Sequence, residues 1–388
     1  MRTPSRPLRA FALAALPVVA LLPATTSTAA PLTTDPAVAA TLAASWLADQ
    51  VNAEGFVPGP TNTPDVSATL EVALALASSR SQEPTFNRIV AWLVPNSETA
   101  IAKSGNDDPG RLGYLLMIAD IAGVPPTNFG GVNLNARLDG TFNDFAPGLY
   151  GGADPSYDGV FRQSIALAGV YASGSPLPAA AVAWLSDQQC GPTPAAANGG
   201  FLGFRADVSV DCAAPDAMAF SGPDTNSTAV AAQALALAGH TVEVDLALDF
   251  LAAAKTPVGG FPYITGGDAD PNSEALVIQA IVAGGEAPGT GRWANGADTP
   301  FTALLSWQIG TTGAADDQGA FASPFSSGFP DLYATRQAVW GAAGTPFPLT
   351  FDPYPDPIPS TTVPSSSATS VPTTSTTALP VVTPAFTG

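Results

Sequence analysis

A helix–turn–helix unit recurs along this chain, and it constrains the fold more than any other feature. Each copy joins an aromatic-anchored helix, a Gly-x-Phe turn, an aspartate and an Ala/Leu-rich helix. The first reads Trp46-Leu47, Gly55-Phe56, Asp65 and Thr69, with an apolar run to Ala77. The unit returns as Trp184-Leu185, Gly199-Gly200-Phe201, Asp224 and Thr228, and as Phe250-Leu251, Gly259-Gly260-Phe261, Asp270 and Glu274. Trp307, Gly319-Ala320-Phe321, Asp331 and Thr335 make a fourth clear copy. A single unit cannot bury its own apolar face, so neighbours must stack. The chain is therefore expected to be all-α.

The ends have other compositions. Arg2, Arg6 and Arg9 precede an apolar run from Ala10 to Leu22, and Ser27-Thr28-Ala29-Ala30 supplies small residues for cleavage. That run is shorter than the roughly 20 apolar residues a bilayer needs, so residues 1–30 read as a secretory signal peptide. Their removal takes the formal charge from −19 to −22, because the segment carries three arginines and no acid. Such a surface repels nucleic acid and anionic lipid, so neither nucleic-acid binding nor membrane insertion is expected. It would also repel polyanionic substrates unless a local basic cleft compensates. Residues 351–388 are rich in Ser, Thr and Pro, cannot bury a core, and read as a disordered tail or surface stalk. Pro384-Ala385-Phe386-Thr387-Gly388 resembles the pentapeptides read by bacterial sortases, with Pro384 in place of leucine. The tail thus offers a route to cell-wall attachment, and the expected location is secreted or cell-surface.

Two cysteines, Cys190 and Cys212, read in an exported chain as one disulfide, contributing about 3 kcal/mol in the chain-entropy model. With one histidine, His240, and two paired cysteines, no metal site is expected. No cofactor is expected either.

Residues 31–350 hold the repeats, whose aspartates are Asp65, Asp107, Asp154, Asp224, Asp270 and Asp331. The two longest intervals contain the Cys190–Cys212 loop and the Gly/Pro-rich stretch from Gly284 to Pro300, as insertions in connections should. Four places after each aspartate stands Thr69, Arg111, Asp158, Thr228, Glu274 or Thr335. Gln163, Gln233 and Gln279 stand nine places after theirs. An aspartate there caps exposed amides and suits the positive end of the helix dipole, which accounts for these residues without a ligand. Asp268, Asp270, Asn272 and Glu274 alternate as in a calcium loop, but the glycine such a loop needs is missing and a capped turn explains them. The third copy places Gly140-Thr141-Phe142 at its turn without a preceding Trp.

The pattern Trp-Leu-x-x-Gln, Gly-Gly-Phe and Asp-x-x-x-Thr-Ala resembles the repeat of the prenyltransferase and squalene cyclase superfamily. That resemblance implies an α/α toroid: about six outer and six inner helices closed into a barrel, with inner-helix N-termini gathered at one mouth. It also sets tests for activity. Triterpene cyclases protonate an alkene with the middle aspartate of Asp-x-Asp-Asp-Thr-Ala, whereas this chain has Asp224-Thr225-Asn226-Ser227-Thr228-Ala229. The prenyltransferase zinc ligands are absent as well.

The expected function is therefore a non-catalytic toroid that binds a small or mid-sized ligand, with corrinoid, glycan and terpenoid all open. The expected lining is Asp65, Asp154, Tyr157, Asp158, Gln163, Asp224, Gln233, Asp270, Glu274, Gln279 and Asp331. The alternative is an extracellular carbohydrate- or terpenoid-active enzyme, a lyase, hydrolase or cyclase. It would draw a carboxylate pair from Asp154, Asp158, Asp270 and Glu274, with Tyr114, Tyr150, Tyr157, Tyr263 and Tyr333 near the same mouth.

Overall fold

Ala- and Leu-rich segments capped by aspartate form thirteen α-helices in the computed structural model, which describes residues 32–142, 146–151 and 158–349. The expected signal peptide and tail, together with Asp154 and Tyr157, lie outside the described residues. The helices alternate between two layers. The inner ones are α2 (Val66–Ser78), α5 (Pro109–Ile121), α7 (Val160–Ala172), α9 (Thr225–Leu237), α11 (Pro271–Ala283) and α13 (Leu332–Ala343). The outer ones are α1 (Pro36–Asp49), α3 (Glu83–Leu93), α6 (Leu134–Asp139), α8 (Ala179–Asp187), α10 (Thr241–Ala254) and α12 (Pro300–Leu305). A short α4 (Ser97–Ile101) leads into a hairpin of β1 (Ala102–Lys103) and β2 (Asn106–Asp107), where Ala102 faces Asp107 antiparallel.

Burial separates the layers as the sequence pattern requires. In α3 only Thr85, Phe86, Ile89, Val90 and Leu93 are buried, one stripe facing inward. In α9 every residue from Ser227 to Leu235 is buried, as in a helix enclosed all round. Each inner helix packs against the next, α2 on α5, α7, α9, α11 and α13 in turn, and α13 returns to α2. This is a closed α/α toroid. Its tightest seam is α5 against α7, where a side chain on Gly113 or Gly169 would overlap the facing backbone.

Two local devices recur among the units. The turn glycine is the first. Gly55 has φ +102°, and a Cβ there would overlap the Arg88 carbonyl of α3. Gly199 and Gly259 sit the same way against Leu246 and Thr299, and Gly319 against Leu42 of α1, which is the contact that closes the ring. In the third unit this place belongs to Gly148, which meets Ala180 of α8; Gly140 instead ends α6 with an ordinary φ of −66°.

The second device is a threonine clip. The Thr69 hydroxyl donates to the Asp65 carbonyl at 2.7 Å and accepts the Val57 amide at 3.0 Å. Thr228 and Thr335 do the same for the Phe201 and Phe321 amides, both at 2.9 Å. The recurrent Asp-x-x-x-Thr is thus a backbone staple between turn and inner helix.

The far end of the ring is closed by the chain itself. After α13, residues 345–349 fold under the inner helices, and Phe347 packs on Trp340 and Tyr114 with ring centroids 5.1 and 6.3 Å away. The Phe347 amide donates to Gln233 Oε1 at 2.9 Å, and Gln279 Nε2 donates to the Thr345 carbonyl at 2.7 Å. Cys190 and Cys212 form the expected disulfide, tying the long α8–α9 connection. Among the described residues no helix is long and apolar enough to cross a membrane.

Gly55→Ala should cost about 2–5 kcal/mol, combining left-handed strain with overlap onto α3. Gly105→Ala, at φ +85° with nothing within 4 Å, should cost only the strain, about 1–2 kcal/mol. Urea unfolding of the two variants separates the contributions.

Candidate functional site

The inner-helix N-termini share one end of the ring because every inner helix runs in the same direction, and aspartates cap most of them. Asp65 accepts the Ala68 amide at 2.9 Å, Asp224 the Ser227 amide at 2.7 Å, Asp270 the Asn272 and Ser273 amides, and Asp331 the Tyr333 and Ala334 amides. In the second unit the cap is Asp108, bonded to the Arg111 amide at 2.9 Å. Asp107, one place earlier in the repeat alignment, lies in β2 and pairs with Arg137 at 2.6 Å. A hairpin replaces the Gly-x-Phe turn in this unit and shifts the register. Asp158 does not cap α7, whose N-cap is Gly159; its carboxylate pairs with Arg162 at 3.0 Å. Arg162 also reaches Asp108 at 3.0 Å, bridging α5 and α7.

The three glutamines stand off the mouth. Gln163 gives its amide to the Gly148 and Ala181 carbonyls and receives the Tyr150 amide, filling the seam between α7 and α8. Gln233 and Gln279 hold the returning C-terminal segment at the opposite end. Glu274 also departs from the expected lining. It occupies the threonine-clip position near the Phe261 amide and the Trp307 side chain, is buried between the layers, and its Oε2 has no hydrogen-bond partner among the described residues. Burial holds its carboxyl well above the usual range.

What the mouth contains is a cavity of about 140 Å³ between α2, α5, α7 and β1. Ser67 and Glu71 line it from α2, Lys103 from β1, Asp108, Arg111 and Tyr114 from α5, and Phe161, Arg162 and Ile165 from α7. Tyr114 is its floor and separates it from the Phe347 plug. Glu71 accepts from Arg336 Nε of α13 at 2.7 Å, and burial raises its pKa despite that partner. Arg336 lies over the Tyr333 ring, 4.7 Å from its centroid, and Gln337 accepts from Asn272 of α11 at 3.0 Å. A polar chain thus runs from α2 through α13 to α11. Arg111 donates to Ser67 Oγ at 3.1 Å and to the Ala102 carbonyl. Its Nε is buried without a partner among the described residues, and burial lowers its pKa.

On the α9–α13 side of the same end, Met218, Phe220, Phe325 and Phe329 are exposed in the connections that precede inner helices. Phe220 has φ +51° and stacks on Tyr263 with centroids 6.2 Å apart. Tyr263 lies beside Asp224, whose carboxyl burial pushes from its ordinary 3.8 up to about 6. Asp224 is only 4% exposed, so that proton is shielded from the mouth.

Glu71, Arg336 and Gln337 escaped sequence reasoning, and Asn272 entered it only as part of a capped turn. The available signal was Glu71 itself, a lone carboxylate inside the apolar run Leu70–Ala77, which must find a partner across the ring. Arg111 was visible as a repeat position, but its role was not.

No protein-family model matches the chain, and no curated protein matches it. Solved structures do resemble it. A protein from Actinoplanes is 15% identical with TM-score 0.55, covering 80% of this chain and 99% of that one. A type II terpene cyclase from Scytonema, in complex with geranylgeranyl dihydroxybenzoate, is 12% identical with TM-score 0.56, covering 80% and 97%. A glycosidase is 12% identical with TM-score 0.51, covering 80% and 98%. At these identities the likeness establishes the α/α-toroid fold and nothing finer.

Arg336→Met should cost about 3–5 kcal/mol, because Glu71 would remain buried without its cation. The Glu71→Leu/Arg336→Met double variant should recover most of that loss, and a denaturation double-mutant cycle measures it. Asp224 makes a pH prediction. Its folded pKa lies above the unfolded one, so its stabilisation is full below about pH 4 and is lost as pH rises through about 6. Asp224→Asn keeps the cap but removes the titration. Relative to this variant, wild type should lose on the order of 2–3 kcal/mol between pH 4 and 7 in urea unfolding.

Proposed function

We propose that the protein is an exported, non-catalytic toroid that receives a small or mid-sized ligand at the inner-helix mouth. The observation that carries this reading is how the cavity's acids are bonded. Both lining carboxylates, Glu71 and Asp108, are engaged by arginines, Arg336 and Arg162. A general acid or base must present its proton site to a substrate within hydrogen-bond reach, and neither does. Asp224, with a pKa suited to proton transfer, is enclosed by its own cap and Tyr263. At the position where triterpene cyclases keep their acid, Asn226 stands instead. The axis below the cavity is occupied by Tyr114, Trp340 and Phe347, whose rings pack on one another. Export draws support from the basic, apolar and small-residue order of residues 1–30 and from the Cys190–Cys212 disulfide. The tail would then display the ring at or near the cell surface.

Native mass spectrometry of the mature chain after exposure to culture extract tests this. A retained small molecule, released unchanged on denaturation, is the expected result. Added back at 100 times its dissociation constant, it should stabilise the fold by about 2.7 kcal/mol in thermal or urea unfolding. Steady release of a chemically altered molecule would instead establish the carbohydrate- or terpenoid-active enzyme.

A further inference from the structure

The mature chain carries a net charge of −22, yet four of its ten basic residues gather at this mouth: Lys103, Arg111, Arg162 and Arg336. Arg162 is neutralised by Asp108 and Asp158, and Arg336 by Glu71. Arg111 differs. Among the described residues no carboxylate lies within ion-pair distance of it; Asp108 and Asp65 act on it only through space. Its bonds go to a hydroxyl and a carbonyl, and its Nε has no acceptor although it is sealed from solvent. A guanidinium taken from water needs hydrogen-bonded counter-charge, and planar carboxylates match its fork. The cavity beside it has room for roughly four or five waters at ~30 Å³ each, well below the ~300 Å³ of a drug-sized site. Tyr114, Phe161 and Ile165 supply the apolar part of its wall, beside Glu71 and Asp108, whose carboxylates Arg336 and Arg162 engage.

Building on the mouth-binding reading, we propose that this cavity takes the carboxylate of a small organic acid, held by Arg111 and Ser67, with an apolar or aromatic group against Tyr114 and Ile165. Such a pocket gives an acidic protein a local counter-field for an anion that its outer surface repels. Binding weakens as salt rises, since the cavity opens to solvent.

The test uses the mature chain labelled with ¹⁵N-arginine, titrated with benzoate, benzamide and inorganic phosphate at low ionic strength. Benzoate should shift the Arg111 Nε–H signal saturably, and neutral benzamide should bind about tenfold more weakly or worse. Arg111→Gln should lower benzoate affinity about tenfold, whereas Lys255→Gln, removing a charge on an outer helix, should leave it unchanged. The Nε–H signal reads the contact in wild type, so the result stands even if Arg111→Gln folds poorly. Benzamide binding as well as benzoate would overturn anion selectivity while leaving mouth binding intact. Phosphate competing equally would overturn the carboxylate assignment. An Arg111 signal unmoved by all three would overturn the site, and the retained molecule from culture extract would still decide the broader reading by itself.

Discussion

Ring closure depends on a contact that only glycine permits. At Gly55, Gly199, Gly259 and Gly319 the turn presses its backbone onto the next outer helix, in a conformation that side chains rarely adopt. Each unit is positioned by its predecessor, and Gly319 on Leu42 returns the last to the first. The angular step between units is therefore set backbone on backbone, and side-chain packing fills the space that remains. The threonine clip then fixes the height of each inner helix relative to its turn. Those two constraints bring the N-termini to a common level, which is what creates a mouth.

The same constraints explain what could be read from the sequence. The Gly-x-Phe turn and Asp-x-x-x-Thr are local in sequence and carry one mechanical role each, so the stacked helix pairs were legible from them, and the closed toroid from the family resemblance they carry. The site was not, because the most regular residues are the scaffold. Asp65, Asp224, Asp270 and Asp331 recur because every inner helix needs a cap. Gln163, Gln233 and Gln279 share a repeat position yet bond to different backbone segments at different ends of the ring. The cavity is lined instead by residues that break the repeat: Glu71 in an apolar run, Arg111 after a hairpin that displaced the turn, and Arg162 one turn past an uncapped helix start. Irregularity within a repeat marked the mouth, and regularity marked the frame.

Electrostatics explain why those breaks cluster. A buried charge is tolerated when its partner is held rigidly opposite, and the inner helices of a closed ring supply such partners across the axis or the adjacent seam. Glu71 with Arg336 joins α2 to α13, and Arg162 joins α5 to α7. Both pairs stitch neighbours in the ring, so they add specificity of closure where packing by alanines alone would be indifferent to register.

Glu274 shows the opposite case, a buried acid with no ion-pair partner among the described residues. It replaces threonine at the clip of the fifth unit, and Gly260 leaves room for it, since a Cβ there would lie 2.5 Å from the Glu274 carboxyl. Burial between the layers raises its pKa well above the usual range, because a charge there would lose its water. A carboxyl oxygen can accept a hydrogen bond as a hydroxyl does, and Glu274 stands near the Phe261 amide where threonines serve three other turns. The longer side chain also extends toward Trp307 of the outer layer, farther than a threonine would reach. One acid in this ring is thus enclosed by the scaffold, where burial favours its neutral form, while Arg111 keeps its guanidinium at the wall of the mouth cavity.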